Sequence, residues 1–386
     1  MDIETLPDNP YLLLTPGPSK VPVELCEVLG RPIIHHRTPQ FQQVLKEVFE
    51  GLKKLIGTAS DVYLLASSGT GAMEAAVANI ASPGDKVITV EYGKFGERWA
   101  SLAKAYKLNA VTLKIEWGRT ITPDEVKAVL AQHPDARAIF ITQCETSTSA
   151  TPDLKAIAAV TRATSTALVV DAVSALGTEP ISMDAWGVDV VCSGSHKGLM
   201  LPPGVGIVAA SARAIAMFEA SSNVRFYFDL RRARKALADT DTPFTPAIGI
   251  VIALNEAVKM LLAEGVDKKQ AYYLKMAQAV WAAAEAMGLK VYAQPQFRSR
   301  ALTAILIPEA LNPKKLVKIM RDVHGITFAG GQGDLDGKVV RIAHMGAVDE
   351  YDILTGLACL EKVLKEAGHR FELGSGLAAA QKVFNA

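Results

Sequence analysis

The chain has 386 residues, 49% hydrophobic and 21% charged, with 29 Gly and 19 Pro. That profile fits a large domain with a smaller companion and excludes disordered, collagen-like and low-complexity chains. Lys plus Arg number 41 against 40 for Asp plus Glu, a formal charge of +1, so the overall balance gives no drive toward nucleic acid or an anionic membrane.

Cys26, Cys144, Cys192 and Cys359 lie far apart, without the spacing of a zinc site, as expected of a reduced, cytoplasmic protein. The opening MDIETLPDNPYLLLTPGPSK is acidic and broken by proline, unlike an export signal. No apolar run approaches the roughly 18 residues needed to span a bilayer.

In chain order, Thr38 is placed to cap a helix opened by Pro39, in which Phe41, Val44, Leu45, Val48, Phe49, Leu52, Leu55 and Ile56 share one face. Short apolar runs follow at 62–66, 86–90, 110–115, 138–142, 167–171, 188–192 and 205–210. Most are apolar at consecutive positions, the pattern of strands buried on both faces of a parallel sheet. Thr122-Pro-Asp-Glu125 reads as a capping box, and Thr151-Pro152 as a second helix start. Beyond about residue 245 come helical stretches at 248–264 and 266–287, a strand at 301–307, a helix at 313–323, a strand at 338–343 and a helix near 349–367. The pattern predicts an α/β protein: a mainly parallel seven-stranded sheet with helices on both faces, and a smaller C-terminal α/β domain. The boundaries expected are an N-terminal segment 1–20 joining the small domain to the active site, a large domain 21–265 and a small domain 266–386. The small-residue tail from Leu373 reads as a weakly held terminus.

Three stretches carry chemistry. In Val188-Asp-Val-Val-Cys-Ser-Gly-Ser-His-Lys197, a buried strand delivers one lysine into a Gly/Pro-rich loop. Burying an ammonium is costly unless it is used, and one use is to hold a cofactor aldehyde as a Schiff base. Ala167-Leu-Val-Val-Asp171 places a carboxylate at another strand end. Ligands of open α/β sheets sit at such ends, and a pyridoxal phosphate site pairs a lysine on the aldehyde with a carboxylate on the ring nitrogen. Ser67-Ser-Gly69-Thr-Gly71-Ala-Met-Glu74 opens a helix with free amides and hydroxyls, a phosphate cradle without the lysine of a P-loop or the spacing of a dinucleotide fingerprint.

The order strand, SSGTGAME, Asp171, SGSHK resembles the fold-type I, class V pyridoxal phosphate aminotransferases, within them the alanine:glyoxylate and serine:pyruvate aminotransferase-like group. Leu14-Thr-Pro-Gly-Pro-Ser19 looks like that group's opening signature, and Val340-Arg341-Ile-Ala-His-Met-Gly346 like its late arginine motif. The resemblance implies a role for each matching position. Lys197 would be the Schiff-base lysine and proton carrier, Asp171 the partner of the ring nitrogen, and Ser68, Gly69 and Thr70 the phosphate ligands. Phe95 would stack on the ring and Ser147 would approach its hydroxyl, with Thr146 in reserve. Arg341 and the backbone at Gly17 would bind the substrate α-carboxylate. His196 is placed near the phosphate, and Thr242 and Thr245 would reach across a homodimer interface to the neighbour's phosphate.

The activity implied is ping-pong transfer of an amino group from alanine or serine to glyoxylate or pyruvate, the substrates being a small amino acid and a small keto acid. An aspartate or aminophosphonate donor is an alternative, because His35-His36-Arg37 offers a cationic side-chain pocket. A cysteine desulfurase needs a reactive cysteine in its late mobile loop, and residues 324–337 hold none. A non-catalytic scaffold would have no need of Lys197, Asp171 or Arg341.

Overall fold

A computed structural model describes residues 11–386. After a two-residue strand β1 (Leu12–Leu13) come seven strands: β2 (Asp61–Ser67), β3 (Lys86–Glu91), β4 (Asn109–Lys114), β5 (Ala138–Thr142), β6 (Ala167–Asp171), β7 (Val190–Gly194) and β8 (Gly204–Ala210). They form one sheet in the order β2-β8-β7-β6-β5-β3-β4. Only β8 runs against its neighbours, pairing antiparallel with both β2 and β7, while β3 to β7 pair in parallel. The carboxyl ends of β2, β5, β6 and β7 and the start of β8 therefore meet along one edge, with Ser67 opposite Gly204 and Gly194 opposite Gly206. Chain leaving that edge builds the site.

The central strands β5, β6 and β7 are buried at every position, as consecutive apolar residues require when helices cover both faces. The run at 110–115 is different. It forms edge strand β4, which has no fully buried residue, and its Thr112 and Lys114 face solvent. The helix Pro39–Ile56 is as expected: Thr38 Oγ1 accepts from Phe41 N at 3.3 Å, and Phe41, Leu45, Val48, Leu52 and Ile56 are fully buried. The capping box at Thr122 forms, with Glu125 Oε2 accepting from Thr122 N at 2.8 Å. The second start is shifted. Asp153, not Thr151, caps the helix Leu154–Arg162, and the Thr151 hydroxyl instead donates to the Gln143 carbonyl at 2.7 Å. A carboxylate after Pro152 outcompetes the earlier hydroxyl.

A four-stranded sheet of β9 (Lys290–Val291), β10 (Leu302–Leu306), β12 (Ala329–Gly330) and β13 (Val339–Ala343) has the order β12-β13-β10-β9 and antiparallel pairing. Between them, β11 (Ile326–Thr327) pairs in parallel with β1. Leu14 joins the core of this second block, packed with Phe328, Ile342 and Leu357. The tail is not weakly held. Residues Ser375–Phe384 form a helix against Val266–Ala286, and Gly374 N and Leu377 N donate to the buried Glu361 carboxylate at 2.7 and 3.0 Å. Small residues allow this close approach: a Cβ at Gly376 would lie 2.8 Å from Glu361 Oε1 and 3.0 Å from Met287 Cγ. No helix among the described residues is long and apolar enough to cross a membrane.

Candidate active site

A cavity of about 310 Å³ opens at the edge where the strand ends meet. Its wall includes Gly17, Pro18, Ser68, Gly69, Thr70, Phe95, Asp171, His196 and Lys197, which the sequence singled out on five separate segments. Strand β2 hands over to the helix Gly69–Ile80 through Ser68, whose side chain is not used to cap that helix. Glycine is required at the start. A Cβ at Gly69 would lie 2.5 Å from the Val173 side chain beyond β6, and one at Gly71 would lie 2.6 Å from Ser67. The helix amides can thus approach the ends of β2 and β6, and they supply a partial positive charge.

Asp171 closes β6 and is 2% exposed. Its Oδ1 accepts from Val173 N at 2.8 Å, and Oδ2 has no hydrogen-bond partner among the described residues. Burial raises this carboxyl to about 7, against the pull of the Val173 amide and of the nearby cations Arg98 and Lys197. Lys197 follows β7 by three residues and is 7% exposed. Burial lowers its ammonium to about 8, reinforced by the charges of Arg341 and Arg98. Its Nζ donates to the carbonyl of Pro16, so the N-terminal segment lies over the amine. Only glycine fits at position 17, where φ is +147° and a Cβ would collide with Lys197 Cε and Nζ. The His196 ring also faces the cavity; its Nδ1 is buried without a partner, and burial lowers the imidazole to about 4, leaving it neutral.

The segment after β5 is held by Glu145, which is fully buried and accepts from Phe95 N at 3.0 Å, Gly96 N at 2.9 Å, and Ser147 N and Oγ at 3.1 and 2.6 Å. A carboxylate at the N-terminus of the helix Lys94–Ala105 suits the helix dipole and fixes Phe95 at the cavity wall. Burial raises the Glu145 carboxyl, and these hydrogen bonds oppose the rise.

Two expected positions differ. The Ser147 hydroxyl is turned away, donating to Glu145 and accepting from Lys94 N at 3.0 Å; Thr146 lines the cavity, its hydroxyl 2.7 Å from Ser174 Oγ. Arg341, on β13, is 5% exposed and stands behind Thr146, its Nε and Nη1 each donating over 2.8 Å to the carbonyls of Gly330 and Thr146. Thr242 and Thr245 line a separate hollow with Tyr227 and Phe244, away from the Lys197 of their own chain. His35 and Arg37 are exposed, and the His35-His36-Arg37 run contributes nothing to the cavity wall.

Sequence reasoning missed Met73, Arg98, Cys144, Val173 and Ser174 in the wall. Arg98 had a readable signal, since it stands three residues after Phe95 on one helix face; its Nη1 donates to Thr70 Oγ1 at 2.9 Å and its guanidinium carbon lies 4.7 Å from the Phe95 ring centre.

A buried amine, a buried acid and a glycine-opened helix at the carboxyl edge of an open α/β sheet mark the active site of an enzyme. The chain belongs to the aminotransferase class-V family, whose sequence model matches residues 27–335. It is 39% identical to the "Soluble hydrogenase, small subunit" of a Synechococcus species, over 97% of this chain and 98% of that protein. It is 36% identical to the L-aspartate–glyoxylate aminotransferase of Paracoccus denitrificans, over 97% and 96%. The crystal structure of an alanine–glyoxylate aminotransferase from a Nostoc species superposes with a TM-score of 0.90 at 30% identity, over 94% of this chain and 98% of that one. The protein is an aminotransferase with the fold of that family, and a seven-stranded sheet in which only β8 runs antiparallel carries its site.

Proposed function

We propose that this aminotransferase uses pyridoxal phosphate to move the amino group of alanine or serine to glyoxylate or pyruvate in two half-reactions. The observation that carries the reading is that the Lys197 amine and the Asp171 carboxyl face one cavity whose third wall is the start of the helix Gly69–Ile80. The residues fit the cofactor. The free Ser68 side chain and the glycine-opened helix suit a phosphate, the partnerless Oδ2 of Asp171 suits a ring N–H, and the buried His196 Nδ1 lacks a hydrogen bond. When bound, the cofactor supplies the carbonyl that takes up the amino group and the ring that withdraws the electron pair of the broken Cα–H bond.

The chain's own groups do the rest. Lys197, with its ammonium lowered to about 8, is substantially neutral at mildly alkaline pH, so its Nζ can act as nucleophile and then accept the substrate Cα proton. With the cofactor bound, Asp171 would keep a proton on the ring nitrogen, Phe95 would support the ring, and Thr146 would take the hydroxyl role expected of Ser147. Arg341, whose Nη2 has no partner among the described residues, and the Gly17 backbone are our candidates for the substrate α-carboxylate. The Pro16–Gly17 segment covers Nζ and limits water there. Thr242 and Thr245, which are not in the wall of their own Lys197 cavity, suit a role in the neighbour's site within a homodimer. We read 1–20, 21–265 and 266–386 as the domain divisions, and a reducing cytoplasm as the working compartment, in keeping with four free cysteines.

Glyoxylate stands in the names of both the Paracoccus and Nostoc relatives, which supports it as acceptor. The Paracoccus name also favours a second reading, an aspartate donor. A subunit working only as a scaffold, as the Synechococcus name would allow, has no use for a buried Lys197 facing a buried Asp171. The test is the visible spectrum of the purified protein with L-alanine, L-serine, L-aspartate and 2-aminoethylphosphonate in turn. A yellow band bleached by alanine or serine and restored by glyoxylate is expected, with both effects lost in Lys197→Ala. Bleaching by aspartate alone establishes the second reading, and a protein that stays colourless with added pyridoxal phosphate overturns both.

A further inference from the structure

Charge in the wall of the Lys197 cavity is sparse. Besides Asp171, the ionisable residues are Lys197, His196, Cys144 and Arg98. The His196 ring is held neutral by burial, and burial likewise keeps the Cys144 thiol protonated. Lys197 is turned to the Pro16 carbonyl, on the side where the amine must act. Arg98 is therefore the wall's permanent cation on the phosphate side, one hydrogen bond of 2.9 Å from Thr70 in the first turn of the helix Gly69–Ile80. A phosphate ester brings nearly two negative charges near neutral pH, and a helix N-terminus offsets roughly half of one. Something else must balance the remainder in a half-buried site.

Resting on the cofactor reading above, we propose that Arg98 is a positioning residue that supplies the phosphate countercharge: its guanidinium ties Thr70 at the helix start to the ring of Phe95 and makes the site selective for a phosphorylated cofactor. Both contacts matter to the argument. The Thr70 bond places the charge at the phosphate end, and the 4.7 Å approach to Phe95 keeps the guanidinium from swinging to solvent. Arg98 is bonded to Thr70 and has no hydrogen bond to Lys197, so its effect falls on which cofactor is held rather than on the proton transfer.

The experiment compares pyridoxal phosphate with pyridoxal, which has the same aldehyde and ring but no phosphate. Dissociation constants are measured by absorbance titration of the apoprotein for the unsubstituted chain, Arg98→Gln, Arg98→Lys and Thr70→Val. Arg98→Gln is expected to weaken pyridoxal phosphate about 10- to 100-fold, the range of a lost charge-assisted hydrogen bond, and to change pyridoxal less than about 3-fold. Arg98→Lys keeps the charge and is expected to retain most of the preference; Thr70→Val leaves the charge but loosens its tether and is expected to give an intermediate loss confined to pyridoxal phosphate. Equal weakening of both ligands by Arg98→Gln would make Arg98 a packing prop and overturn the proposal, as would no weakening of either. If the unsubstituted chain binds pyridoxal as well as pyridoxal phosphate, the phosphate is not read and the proposal falls while the cofactor reading survives. If it binds neither, both fall.

Discussion

The two groups that make the site reactive are both held away from their ordinary ionisation by burial. For Lys197 the consequence is kinetic. The neutral amine accumulates above about pH 8, two units or so below an exposed lysine. Capture of pyridoxal phosphate by the apoprotein, followed by stopped-flow absorbance, is expected to accelerate with pH and level off just above 8 rather than above 10. For Asp171 the consequence is thermodynamic. Its folded carboxyl titrates near 7 and an unfolded one near 3.9, so the native state binds the extra proton and stability falls as pH rises from about 4 to about 7, the loss being complete above that. Asp171→Asn is expected to raise the apoprotein's melting temperature at pH 8 while reducing transamination at least about 100-fold, a trade of stability for activity. Both residues were legible because a charged residue at the end of an apolar run stands out. Thr146 against Ser147 was not legible: neighbouring hydroxyls in a turn point opposite ways, and which one faces the cavity depends on Glu145, whose bonding partners Phe95 and Gly96 are some 50 residues away in sequence.

Among the elements, the helix Lys94–Ala105 depends on the Glu145 side chain for its start. Glu145→Ala would leave the amides of Phe95 and Gly96 and the hydroxyl hydrogen of Ser147 without their acceptor, each worth about 1–3 kcal/mol where buried. A drop of at least about 3 kcal/mol in unfolding free energy is expected by urea titration, together with weaker cofactor binding because Phe95 loses its seat. Strand and helix existence was readable from runs and caps, and the boundaries less so. The start assigned to Thr151 moved to Asp153 because two capping residues flank one proline. The outlying position of β4 was hidden because Val111 and Leu113 look the same in an edge strand as in a central one.

At the scale of the molecule, the tail was misread for a physical reason. Gly, Ala and Ser suggest flexibility, yet Gly376 and Ala380 are the residues that let the helix Ser375–Phe384 lie against Met287 and Glu361. Gly376→Val is expected to lower the melting temperature by about 3 °C or more by calorimetry, and Gly376→Ala by less. The two-block plan was readable from the change of texture near residue 245, whereas the expected link from the N-terminal segment to the second block rested on resemblance, since two-residue strands such as β1 and β11 leave no periodic trace.

That crossing sets an order of events. Leu12 and Leu14 are bonded to Gly325, Thr327 and Ala343, and Ser19 N to the His196 carbonyl, so the arc at Pro16 is strung between the second block and the residue beside Lys197. On the ribosome the lysine's cover leaves early but finds its anchor only after residue 343 has emerged. Covering of the Lys197 amine is thereby deferred until residue 343 is available, and a product truncated before it carries Lys197 without that roof.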